Sequence, residues 1–205
     1  KISSKIKISI DNPLACPRYM ARLVKNVTVE DSPEWLRSKL DSIGQKSINN
    51  VVDASNYILH DYGQPMHAFD YDKIIGKEIN VRLARNKETI TTLDNIKRRL
   101  GKGHLLICDK QKPIAIAGIM GGNNSEVDRN SHNILIECAY FDPIVIRKGS
   151  KKLDLSTEAS KRYERDIDIK NMGTALDHLA FLIADLGNGR VVSEVIDHFP
   201  GKKKE

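Results

Sequence analysis

The chain has 205 residues, enough to bury a substantial core, and its 40% hydrophobic and 29% charged residues are the balance of a soluble globular protein. No apolar run approaches the ~20 residues that a membrane-crossing helix needs, and Cys16, Cys108 and Cys138 are too scattered for a C-x-x-C zinc or redox pair, which points to a reducing compartment. The net charge of +6 suits a polyanionic partner such as RNA, with denser basic spots at Lys97-Arg98-Arg99, Lys151-Lys152 and a tail, Lys202-Lys203-Lys204, read as a solvated linker.

No signal peptide is visible and the first residue is Lys1, so the chain is expected to be one domain, core about 10–195, excised from a larger polypeptide. Residues 18–30, RYMARLVKNVTVE, partly alternate apolar and polar and read as a strand. Asp31-Ser32-Pro33 then predicts a helix capped by Ser32, with Pro33 at its first position, running to Ile43 and stopping at Gly44. In SINNVVDASNYILHDYG, residues Ile48, Val51, Val52, Ser55, Ile58, Leu59 and Tyr62 fall on one helical stripe that ends at Gly63. GQPMHAFD follows, a break made by Gly63 and Pro65 with His67 set on it. A histidine there can be held rigidly with its ring reachable, although an ordinary surface histidine is the default reading of this stretch alone.

From 78 to 141 the pattern changes to short strands: EINVRLA, ETITTL, IKRRL, HLLICD, PIAIAGIM and NILIECAYF, with Leu93-Asp94-Asn95 as a hairpin tip. Glycines 118, 121 and 122 punctuate the strand AIAGIMGGNNSE; they fit a plain turn and close approach of a ligand equally well. Past Asp142-Pro143 come three helical stretches, PIVIRKGSKKL, STEASKRYERD and KNMGTALDHLAFLIADLG, and a last strand, RVVSEVIDHF. Strands bracketed by helical blocks predict an α+β fold.

Candidate site residues are few. Glu137 lies inside the otherwise apolar NILIECAYF, facing away from Ile136 and Cys138; it stands at an exposed edge, the commoner case, or lines a cavity, where it must be paired. Ser55, on the apolar stripe, meets something other than water or bonds back one turn, and Asn56 points near the same end as His67. Ser156 or Thr157 caps a helix start that could also receive a polar group, and Arg162 and Arg165 serve RNA phosphates or salt bridges. There is no P-loop and no G-x-G-x-x-G fingerprint, and a metal set of His60, Asp61 and His67 lacks the spacing of a hydrolytic helix motif.

Taken in order, INNVVDASNYILHDYGQPMHAFDYDKI, AIAGIMGGNNSEV, NILIECAYFDP and STEASKRYERDID resemble one family, the editing domain in the β subunit of bacterial phenylalanyl-tRNA synthetase. The resemblance runs from about residue 10 to 195. It implies an α+β module built on a β-sandwich of unusual topology with flanking helices. It also implies hydrolysis of tyrosine wrongly esterified to tRNA(Phe), in the cytoplasm. Its pocket positions fall on Ser55, Asn56, Pro65, His67, Gly118, Gly121, Gly122, Glu137, Thr157 and Ala159. His67 and Thr157 would serve catalysis, with Glu137 selecting tyrosine. The family needs no cofactor in this domain; ATP and magnesium belong to the whole synthetase, whose α subunit would be a partner together with tRNA(Phe). Departures from the family pattern are Ser55 for threonine, Glu158 for aspartate, and Asp166 and Ile169 for glycine and proline. The alternatives are a non-catalytic RNA-binding or subunit-interface module of the same fold, or a free-standing editing protein acting in trans.

Overall fold

The computed structural model describes residues 6–200, so the lysine tail read as a linker lies outside the described residues. After β1 (Lys7–Ile10), which the sequence reading missed, comes β2 (Arg18–Lys25). β2 is shorter than the 18–30 pattern because Asn26 leaves the strand at φ +56°, a left-handed conformation that asparagine tolerates. Ser32 does not cap α1 (Glu34–Ser42). It is buried, its hydroxyl donates to Asp53 Oδ2 at 2.6 Å, and Pro33 takes the N-cap place. α2 (Asn50–Tyr62) is capped by Asn49, whose side chain accepts from the N–H groups of Val51 and Val52, and closes on Gly63 at φ +68°. Val51, Ser55, Ile58 and Leu59 are buried as the stripe predicts, but Ile48 precedes the helix and is exposed.

The break at Gly63–Pro65 leads into a strand, not a loop: β3 (Met66–Asp70). β4 (Glu78–Leu83), β5 (Thr89–Thr91), β6 (Lys97–Arg99) and β7 (Leu105–Cys108) follow where short strands are expected, with the β5–β6 tip held by Asp94, which accepts from Thr92 Oγ1 at 2.6 Å. AIAGIMGG is not one strand. It folds back as β8 (Pro113–Ile116) and β9 (Met120–Gly121) around a turn closed by Ile119 N–H to Ile116 O at 3.0 Å. Gly118 sits third in that turn at φ +66°, the backbone a type II turn demands. Then come β10 (Ile134–Tyr140), α3 (Pro143–Leu153), α4 (Glu158–Tyr163) and α5 (Met172–Leu186). RVVSEVIDHF is divided into β11 (Arg190–Val191) and β12 (Ile196–His198), both antiparallel to β2.

The strands build two main sheets, β1-β4-β7-β8-β9 and β11-β2-β10-β3, with β12 also on β2, and a β5-β6 ribbon. One core lies between the sheets, where Tyr19, Leu23, Phe69 and Leu135 of the second meet Ile79, Val81 and Ile107 of the first. The other lies on the opposite face of the second sheet, where Ile134, Ile136 and Cys138 pack on α2 and α5 through Val51, Ile58, Leu176 and Leu179. The fold is therefore α+β: a sandwich with helices stacked on one sheet. Period-2 alternation along β10 sends Leu135, Glu137 and Ala139 into the sandwich and their neighbours toward the helices.

Candidate active site: a cleft inside the sandwich

Glu137 is not at an edge. β10 is paired on both sides, with His67 of β3 directly opposite Glu137 on one flank and Ala21 of β2 on the other. Directly opposed residues put their side chains on the same face a few ångströms apart. Both His67 and Glu137 line a cleft of about 80 Å³ whose walls include Pro65, Gly118, Gly121, Ala159 and Tyr163, with Ile107, Ile116 and Met120 beyond.

The cleft is lined mainly by apolar side chains, and among the described residues no lysine or arginine lines it. Glu137 is 4% exposed, and its Oε2 has no hydrogen-bond partner among the described residues. Burial pushes the carboxyl up from its ordinary 4.5 to about 8. His67 is half-buried with Nε2 shielded and equally without a partner, and burial lowers its imidazole from 6.5 to about 4, so it is neutral at pH 7. Its ring stands edge-on to Phe69, centroids 4.6 Å apart. Gly121 makes room for it: a Cβ there would lie 2.6 Å from His67 Cε1 and 2.7 Å from Nε2. At Gly118 a Cβ would press on Phe141, Ile146 and Tyr163.

The turn that presents His67 is pinned to β10. Gln64 is buried and donates through Nε2 to Pro65 O at 2.9 Å; the Tyr163 hydroxyl lies 3.2 Å from Pro65 O and 3.1 Å from Ala139 O. Gln64 and Tyr163 were missed by the sequence reading. Nothing in a single chain distinguishes a tyrosine that reaches two carbonyls from one that fills space.

The other expected site residues stand outside the cleft wall. Ser55 bonds back to Val51 O at 3.0 Å, and Asn56 is half-buried on the same helix, which packs on the far face of the sheet. Gly122 serves the β8–β9 fold: its N–H donates to Ile114 O at 2.8 Å. Thr157 caps α4, accepting from Ser160 N–H, and its hydroxyl donates to Ile119 O at 2.8 Å. It thereby ties the helix carrying Ala159 to the cleft wall. Arg162 pairs with Glu158 at 2.8 Å, and exposed Arg165 donates to Lys161 O. His60 contacts Gln45 and Arg162, and among the described residues no group of three His, Cys, Asp or Glu is placed to hold a metal ion. The three cysteines are buried and unpaired.

The chain is an α+β sandwich with a small cleft between a histidine and a buried carboxyl, and comparison gives its family. The chain belongs to the B3/4 domain family, whose model matches residues 15–188. It is 50% identical over 202 residues to the phenylalanine–tRNA ligase beta subunit of Desulfotalea psychrophila, and 48% identical over 200 residues to that of Carboxydothermus hydrogenoformans. Each alignment covers 98% of this chain and 25% of the relative, so the chain spans about a quarter of the length of these curated relatives. An N-terminal fragment of the phenylalanyl-tRNA synthetase beta subunit from Pyrococcus horikoshii shares the fold, with TM-score 0.60 at 14% identity over 94% of this chain and 54% of that one.

Proposed function

We propose that the cleft is the editing site of a phenylalanine–tRNA ligase beta subunit, hydrolysing tyrosine from mischarged tRNA(Phe). The observation that carries this reading is the carboxyl of Glu137, buried on a central strand with an oxygen left without a partner, at a cleft shared with His67. The tyrosine phenol would donate to it. Phenylalanine would leave it buried and unpaired, at a cost of about 1–3 kcal/mol, more for a charged carboxylate.

In the reaction a water oxygen adds to the ester carbonyl carbon and the bond to the terminal ribose oxygen breaks, releasing tyrosine and intact tRNA. Neutral His67 orients the water or the ribose through Nε2, assisted by the vicinal ribose hydroxyl. Thr157 acts by holding α4 against the wall. ATP, magnesium and the α subunit belong to the synthetic step of the whole ligase, and no step here uses them.

The test is deacylation of tyrosyl-tRNA(Phe) and phenylalanyl-tRNA(Phe) side by side, with wild type and Glu137→Ala. Wild type should release tyrosine preferentially. In the variant the ratio should collapse toward unity, with Glu137→Gln in between. An unchanged ratio would hand selectivity to pocket shape, and no release by wild type would favour a non-catalytic RNA-binding or subunit-interface module.

A further inference from the structure

Three polar atoms on the inner face of the second sheet lack partners among the described residues: His67 Nε2, Glu137 Oε2 and the hydroxyl of Tyr19. Tyr19 is outside the cleft wall and wholly buried. It lies on β2 opposite Ala139, and Ala21 stands opposite Glu137, so Tyr19 is the diagonal neighbour of Glu137 on the same face. A diagonal pair is within reach of an aromatic side chain, and the residue between them on that face, Ala21, is small.

The two groups are complementary. Burial first, then the charge of Glu137, hold the Tyr19 phenol well above its ordinary range, so it keeps its proton and can only be a donor to a carboxylate. The other phenol near Glu137, Tyr163, already faces the Pro65 and Ala139 carbonyls. From β3 the facing group is neutral His67, and near the start of β2 it is the buried thiol of Cys16. The first sheet offers the cleft only apolar side chains and glycine backbone, and Cys138 points to the other face.

We propose that Tyr19 is the positioning residue for Glu137: its hydroxyl supplies, through one bound water, a hydrogen bond to Oε2, and the remaining acceptor sites of the carboxylate stay open to the substrate phenol. This rests on the editing reading above. A donor to a buried carboxyl favours the charged form, and the charged form is the stronger acceptor for the substrate phenol and the costlier to leave unpaired. Tyr19 thus acts on selectivity from behind the cleft, without touching the substrate.

The experiment measures the tyrosine-to-phenylalanine deacylation ratio against pH from 6 to 9 in the full-length protein, corrected for spontaneous ester hydrolysis. Wild type should show a ratio rising with pH through the Glu137 midpoint. Tyr19→Phe keeps the ring, and should move that rise to higher pH and lower the ratio roughly three- to tenfold just above the wild-type midpoint. In a Glu137→Gln background Tyr19→Phe should change nothing, an outcome a merely packing role would not produce. Should Tyr19→Phe fail to fold, site-specific 3-fluorotyrosine at position 19, a stronger donor of nearly the same size, should shift the rise to lower pH. An unshifted rise with either replacement overturns the proposal. A wild type without preference for tyrosine overturns the editing reading and this inference with it; a wild-type preference that Tyr19→Phe leaves intact overturns this inference alone.

Discussion

His67 and Glu137 are moved in opposite directions by one cause. The cleft disfavours charge, so the base loses its proton more easily and the acid keeps it longer. The consequences for stability have opposite signs. Between about 4 and 6.5 the unfolded chain protonates His67 and the folded chain does not, so stability falls as pH drops through that window. Between 4.5 and about 8 the folded chain holds the Glu137 proton and the unfolded chain releases it, so stability falls as pH rises, by up to about 1.4 kcal/mol per pH unit. Glu137→Gln removes the second term only. Its stability relative to wild type, from denaturant melts, should climb between pH 5 and 8 and level off on either side; a constant difference would mean that Glu137 has a near-ordinary pKa in the fold. These residues were only half legible. Glu137 was visible as a carboxylate out of place, but its burial depends on β10 having two neighbours, and β3 was not foreseen.

At the scale of elements, β3 was missed because Gly63 and Pro65 end the helix so firmly that MHAFD reads as loop, and five residues carry too little alternation to overrule that. Its partner supplies the information: only the register with β10 sets His67 beside Glu137. The helices, by contrast, were legible from apolar spacing, because burial on one face is written into a single segment. Ser32 failed as a cap for a long-range reason. Asp53 collects Ser32 Oγ, Ser47 Oγ and the Ile48 N–H, and a carboxylate accepting three donors outcompetes one helix end. The β8–β9 hairpin yields a prediction of its own. Gly121→Ala puts a methyl where the His67 ring lies. The ring must swing away, at about 1–3 kcal/mol of overpacking, while Glu137 keeps its place. Hydrolysis of tyrosyl-tRNA should fall at least as far as in His67→Ala, with binding of free tyrosine much less affected. Equal losses of rate and tyrosine binding would show that the whole cleft had collapsed.

At the scale of the molecule, the cleft is lined from both sheets and from α4, and the candidate polyanion contacts lie outside that lining, on α4 and the turn that follows it. Sequence reading placed Arg162 and Arg165 on one helix; α4 keeps Arg162 but ends at Tyr163, so Arg165 lies in the turn beyond it. Arg162 is half-buried and paired with Glu158, whose carboxyl it and Lys161 hold at about 2. Arg165 is exposed, its side chain donating to the Lys161 carbonyl. A guanidinium so placed can meet a phosphate at little cost, whereas recruiting Arg162 means breaking an ion pair. If the tRNA end enters the cleft past α4, phosphate contacts release counterions, and the logarithm of kcat/KM should fall linearly with the logarithm of salt concentration. Each lost contact should reduce that slope by roughly 0.7–0.9. Arg165→Ala should therefore flatten the dependence by about one contact, and Arg162→Ala by less, because its guanidinium is already engaged by Glu158. On the proposed reading neither change should move the tyrosine-to-phenylalanine ratio, because neither residue lines the cleft. Deacylation kinetics from 50 to 300 mM salt, at subsaturating tRNA, make the measurement. A slope identical in wild type and Arg165→Ala would take the phosphate contact away from Arg165 and place it on another surface.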